Sequence, residues 1–127
     1  MRYAVVFGAL SGLVAVLLSA WAAHGLKATL GPEDLGRIAV GARLQIWHAL
    51  ALLAVGALAA ARPGRALDVA TWGFALGTLL FSGGLYLKAF TGLAFATYAA
   101  PLGGVLFFAG WLALAWHGLK AHVHGPR

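Results

Sequence analysis

Apolar side chains in this chain run in four long stretches, and polar ones gather between them. The stretches are Ala4 to Leu26, about Leu44 to Ala61, about Val69 to Leu87 and about Tyr98 to His117. No Asp, Glu, Lys or Arg interrupts the apolar body of any of them. A bilayer core of ~30 Å takes about 20 helical residues to cross. Backbone polar groups in lipid must bond internally, so a crossing segment is a helix or a barrel strand. A barrel needs alternation with a period of two, and these runs are continuous. The pattern predicts four transmembrane helices.

The segments between them carry their own signals. Gly31-Pro32-Glu33-Asp34 is a helix start, with proline in the first turn and acids at the positive end of the dipole. Beyond it Leu35, Ile38, Ala42 and Ile46 recur at helical spacing, with Arg37 and Arg43 elsewhere on the wheel. This predicts a short interfacial amphipathic helix over about 32–43, bent near Gly41. The alternative is a plain extension of span two. Arg62-Pro63-Gly64-Arg65 is a tight turn that makes spans two and three antiparallel. The third connection, around Lys88 to Thr97, is mostly apolar and is expected in the interface.

Composition converts that pattern into a class. The chain of 127 residues is 62% hydrophobic and 9% charged, whereas a soluble domain averages roughly 45–50% apolar and about 25% charged. A globule of this length leaves about a third of its surface wet, so such an excess cannot be hidden inside one. Soluble and disordered classes are excluded, and the whole chain, 1–127, reads as a single transmembrane domain. Arg2, the first apolar run and Ala20-Trp21-Ala22 imitate a secretory signal with a cleavage site. The run is longer than a signal core, so it is expected to be retained as a span.

Charge changes the picture less than its size suggests. The net charge is +6, but the basic residues stand singly beside apolar runs, as they do where membrane proteins set orientation and meet anionic lipid. No stripe or motif points to nucleic acid. With four spans the termini share a side, which carries Arg2, Arg62, Arg65, Lys120 and Arg127. The opposite side carries Lys27, Arg37, Arg43 and Lys88. This balance leans slightly towards cytoplasmic termini, in a bacterial inner membrane. There is no cysteine, which excludes disulfides, thiolate metal sites and thiol nucleophiles.

Some repeated features read first as packing. His24-Gly25-Leu26-Lys27-Ala28 recurs as His117-Gly118-Leu119-Lys120-Ala121. The copies leave opposite faces of the membrane, so one site cannot use both. The expected explanation is a helix stop, with glycine after the last turn and lysine at the negative end. Gly8 with Gly12, Gly56 with Ala60, Gly73 with Gly77, Ser82-Gly83-Gly84 and Gly103-Gly104 offer small faces for close helix contact. Of the five tryptophans, Trp21, Trp47, Trp72 and Trp116 fall near span ends as interface anchors, and Trp111 does not.

The uncharged polar residues are unevenly placed. His24 ends span one, Gln45 and His48 open span two, Ser82 and Tyr86 lie near the end of span three, and Thr97 and Tyr98 open span four. Alternating spans put all of them in the membrane half away from the termini. Gln45 with His48, and Ser82 with Tyr86, are spaced to share a helix face. Two histidines could ligate a metal or haem iron, although without a third ligand the set is poor. A His/Gln/Ser/Tyr lining could hold a quinone or a lipid headgroup. The plainest reading is that these groups bond to one another and lock the bundle. Near the midplane, at Val14, Val55, Thr78 and Phe108, there is no ionisable group of the kind an ion-coupled carrier uses. No nucleophile triad, P-loop or dinucleotide fingerprint is present.

Taken together, several motifs resemble a known family. They are Ala22-Ala23-His24-Gly25-Leu26, Gln45-Ile46-Trp47-His48-Ala49-Leu50, the run from Gly77 to Tyr86, Pro101-Leu102-Gly103-Gly104 and Gly110-Trp111. In order and spacing they look like the YgdD-type small membrane proteins, a family that human transmembrane protein 256 also resembles. Ser19, Trp21 and Ala22 depart from that family's glycine-rich approach to the first histidine, and Leu44 stands where a tyrosine is common. The resemblance implies four spans and no assigned activity. It also marks His24, Gln45, His48, Ser82, Tyr86 and Pro101 as motif positions.

The resulting expectation is an all-α, integral membrane four-helix bundle with one interfacial helix and no enzymatic activity, metal or cofactor. The leading function is an accessory or structural subunit that binds lipid, another membrane protein or a second copy of itself. A small oligomeric transporter or channel is the alternative, and a quinone- or haem-binding protein is another. The candidate ligand-binding residues are His24, Gln45, His48, Ser82 and Tyr86.

Overall fold

The computed structural model describes residues 2–123, leaving out the side chain of His122. Arg127, counted above among the charges on the termini side, lies outside the described residues. The chain forms α1 (Arg2–Ala23), a 3₁₀ turn (Gly25–Ala28), α2 (Pro32–Ala61), α3 (Arg65–Thr91) and α4 (Ala96–Val123). All four α-helices are long and apolar enough to cross a membrane.

Helix α2 corrects one expectation. Residues 32–43 are not a separate interfacial helix. They form the first turns of one continuous 30-residue helix. At 1.5 Å per residue this is ~45 Å long, well beyond a ~30 Å hydrocarbon core. Its charged first turns therefore extend past the core as part of the same helix. Gly31 caps the start in an extended conformation with Pro32 in the first turn. Arg37 bridges Glu33 and Asp34 at 2.7 Å each. Gly41 does not break the helix because it serves as a contact point, with the ring of Tyr86 lying against it.

The connections are short. Arg62 closes α2 by donating its N–H to the Leu58 carbonyl, 2.8 Å away, and Gly64 caps α3. Helix α3 runs past Lys88 to Thr91, so the third connection is only residues 92–95. Gly92 ends α3 in the left-handed region (φ 71°) and returns its N–H to the Lys88 carbonyl, a conformation that costs glycine little. Leu93 and Phe95 in this connection are exposed, as are Thr97 and Tyr98 at the start of α4. Pro101 sits in the second turn of α4, where its missing N–H costs one rung, to Thr97.

The pentapeptide echo is not structural. Its first copy does leave a helix, and Leu26 is buried with Ile38 and Ala89 beneath the 3₁₀ turn. The second copy lies inside α4, which continues through Gly118 to Val123 and leaves Leu119 exposed. The expected stop at His117 is overridden because the helix extends along the α2–α3 turn.

Helices pack in chain order: α1 on α2, α2 on α3, α3 on α4, with α1 and α3 barely touching. The inner pair is the more enclosed. Some 44% of the most apolar stretch of α2 and of α3 is buried, against 22% in α1 and α4. Helix α1 buries one narrow stripe, Ala4, Gly8, Ser11 and Ala15, and turns Leu10, Leu13 and Leu17 outward. The main core joins Leu52, Val55, Leu67, Phe74 and Phe107.

Glycines set the α3–α4 seam. A Cβ on Gly73 would meet the Leu106 carbonyl at 2.9 Å, and one on Gly77 would strike the Phe107 ring at 2.5 Å. One on Gly103 would collide with the backbone of Phe81 and Gly77. Gly8 meets the Ala49 carbonyl in the same way, across α1–α2. Gly83 and Gly104, expected on the same faces, have open space instead.

Candidate functional site

The polar residues of α2 and α3 meet on the inner seam. Gln45 is buried and reaches both ways. Its amide nitrogen donates to the Ser11 carbonyl of α1 at 3.0 Å, and its oxygen accepts from the Tyr86 hydroxyl at 2.6 Å. One turn back along α3, the Ser82 hydroxyl donates to the Gly41 carbonyl at 2.7 Å. Both backbone acceptors belong to helices, so each side chain takes a second lone pair and leaves the ladder intact. Three helices are tied through one amide.

His48, three residues on from Gln45, faces α4 instead. The Trp111 indole lies 3.1 Å from its Nε2, and its Nδ1 is 2.7 Å from the Leu44 carbonyl. An indole only donates and a carbonyl only accepts, so this network assigns the proton to Nδ1 and the acceptor role to Nε2. The ring stacks on Phe107 at 3.5 Å with 5° between planes. Phe74 closes the aromatic group, 4.9 Å from Trp111. With both nitrogens in use, His48 has no lone pair to offer a metal. Among the described residues no three His, Asp or Glu side chains converge on a common point.

Of the five candidate residues, Gln45, Ser82 and Tyr86 form one bonded set around Gly41. His48 sits beside it with its own partners. His24 stands apart, exposed between α1 and the 3₁₀ turn. Sequence reasoning missed Trp111, Phe107 and the carbonyls of Ser11 and Gly41. The signal for Trp111 was there, since it was the one tryptophan away from a span end. Among the described residues, two buried hydroxyls, Ser11 Oγ and Thr78 Oγ1, have no hydrogen-bond partner.

This is a four-span, all-α integral membrane protein whose inner seam is closed by side-chain hydrogen bonds. Residues 18–104 match the family described as "Protein of unknown function (DUF423)". The chain is 41% identical over 113 residues to a UPF0382 membrane protein of Haemophilus influenzae, covering 89% of this chain and 90% of that one. It is 41% identical over 113 residues to the UPF0382 inner membrane protein YgdD of Escherichia coli K12, covering 87% and 84%. A third relative, UPF0382 membrane protein SSP2132 of Staphylococcus saprophyticus, is 35% identical over 114 residues, covering 90% and 94%. The chain belongs to this family of uncharacterised membrane proteins, as the motifs around Gln45, His48 and Tyr86 led one to expect. No solved structure matches it.

Proposed function

We propose that this protein is a non-catalytic accessory membrane subunit that binds another membrane protein through the outer faces of α1 and α4. One observation carries the reading. Gln45, His48, Ser82 and Tyr86, the residues best suited to chemistry, already spend their hydrogen bonds within the fold. What the chain offers outward is apolar surface on its two least enclosed helices, such as Leu13 and Leu17 on α1 and Leu102 and Phe108 on α4. The small-residue faces, by contrast, are largely consumed between its own helices. A membrane partner would meet side chains and not backbone.

Photo-crosslinking in intact membranes tests this. A photoreactive residue in place of Phe108 or Leu13 is expected to give one discrete protein adduct, and the same residue in place of buried Leu52 none. Adducts only to a second copy of this chain would favour the oligomeric transporter reading and overturn this one. Adducts only to lipid would also overturn it.

A further inference from the structure

We propose that the cleft between the α2–α3 turn and the last turns of α4 binds the phosphate headgroup of an anionic phospholipid. The site lies at the opposite end of the bundle from the polar seam, on the side the two termini share. It does not depend on the partner proposed above.

The cleft has a volume of about 1040 Å³ and is lined by Arg62, Arg65, Trp116, His117 and Lys120, with Val69 and Leu112 among its apolar walls. A second cleft of about 470 Å³ shares Arg62 and His117. In the sequence these cations are isolated singles. They come together because Pro63-Gly64 turns the chain within two residues, and because α4 continues beyond His117 to lie alongside that turn.

Geometry holds the cations in place. One Arg62 nitrogen donates to the Ala121 carbonyl at 3.2 Å, anchoring the guanidinium on α4 and leaving its other donors for the cleft. The Lys120 ammonium sits over the Trp116 ring, 5.1 Å from its centre, a placement that attraction to the ring face favours. Among the described residues neither Arg62 nor Arg65 has an ion pair with an acid. Asp68, one turn along α3, belongs to the neighbouring groove with Trp72 and Leu76. At the other end of the molecule Arg37 is neutralised by Glu33 and Asp34, and Lys27 and Arg43 line a smaller cleft of about 350 Å³ without a tryptophan.

Unneutralised guanidinium groups bind phosphate through paired, charge-assisted hydrogen bonds. Basic pockets between transmembrane helices at the membrane surface suit lipid headgroups. The half-exposed Trp116 indole marks an interfacial depth. The apolar walls, Val69 and Leu112, continue from the cations towards the lipid-facing surface, as an acyl chain requires. A free phosphate would use the cations and leave those walls bare.

The test uses the full chain in neutral detergent, offered equal amounts of phosphatidylglycerol and phosphatidylcholine, with retained lipid read by native mass spectrometry. Preferential retention of phosphatidylglycerol is expected. Arg65→Gln should lower the preference about fivefold, and Arg62→Gln with Arg65→Gln should lower it further still. Arg43→Gln, at the other end of the bundle, should leave it unchanged. Circular dichroism of each variant checks that the helices are intact. Equal retention of the two lipids would overturn the proposal, and so would a preference that survives in the double variant. Displacement of phosphatidylglycerol by millimolar inorganic phosphate would assign the cleft to free phosphate and overturn it as well.

Discussion

The two seams of α3 are closed by different means. On its α2 side, Ser82 and Tyr86 reach across to Gly41 and Gln45 through hydrogen bonds of 2.7 and 2.6 Å. On its α4 side, the backbones approach so closely that Gly73, Gly77 and Gly103 leave no room for a Cβ. Lipid supplies no hydrophobic drive for helix association, so a membrane bundle relies on close packing and interhelical hydrogen bonds. This chain separates the two. The difference predicts different tolerance: the glycine seam should fail by collision, and the polar seam should weaken by increments.

The largest effect belongs to the glycine seam. Gly103→Ala places a Cβ against the Phe81 backbone and the Gly77 carbonyl, atoms that cannot swing aside as a side chain can. Forcing an extra carbon into packed structure typically costs about 1–3 kcal/mol, and backbone contacts put this site at the upper end. Gly104→Ala, one residue on, meets nothing within 4 Å and should be neutral. Thermal unfolding in detergent, followed by circular dichroism, compares the two. Equal melting points would show that α3 and α4 do not pack as described.

That pair also shows where sequence reading stops. Charge-free runs revealed four helices, because a buried charge in lipid is too costly to be common. Helical spacing put Ser82 with Tyr86, and topology placed both in the same half of the membrane as Gln45 and His48. Spacing also put Gln45 with His48, yet the two turn to different helices, one to α1 and α3 and the other to α4. Which glycines are needed was not legible, since Gly103 and Gly104 differ only in the face they turn to α3. The continuity of α2 was not legible either, because charged turns outside the bilayer look the same on a separate helix as on an extension. The gathering of Arg62, Arg65 and Lys120 depended on how far α4 runs, and a glycine at 118 suggested that it stopped earlier.

On the polar seam, Gln45 and Tyr86 should behave as a coupled pair. Interhelical hydrogen bonds in membranes average about 0.6 kcal/mol and reach about 1.7. Tyr86→Phe removes one bond and leaves the amide oxygen of Gln45 without its donor. Gln45→Leu removes that bond and the one to the Ser11 carbonyl, and should cost more. The double variant should be less damaged than the single effects added together, with a coupling of about 1 kcal/mol. Strict additivity in unfolding titrations would mean that the bond contributes nothing to holding α2 and α3 together.

The smallest effect is expected at Thr78, a buried residue one turn before Ser82 on α3. Its hydroxyl is buried and has no partner among the described residues, whereas Thr71 on the same helix bonds back to the Leu67 carbonyl at 2.8 Å. Thr78→Val keeps the branched shape and removes only an unsatisfied oxygen. Stability should therefore be unchanged or raised by up to about 1 kcal/mol. Thr71→Val discards a formed bond and should lower stability slightly. The order of the two variants is the measurement. If Thr78→Val proves the more damaging in the membrane, its hydroxyl must be meeting a group from outside this chain, and the division of α3 into one polar and one glycine seam would need a third contact.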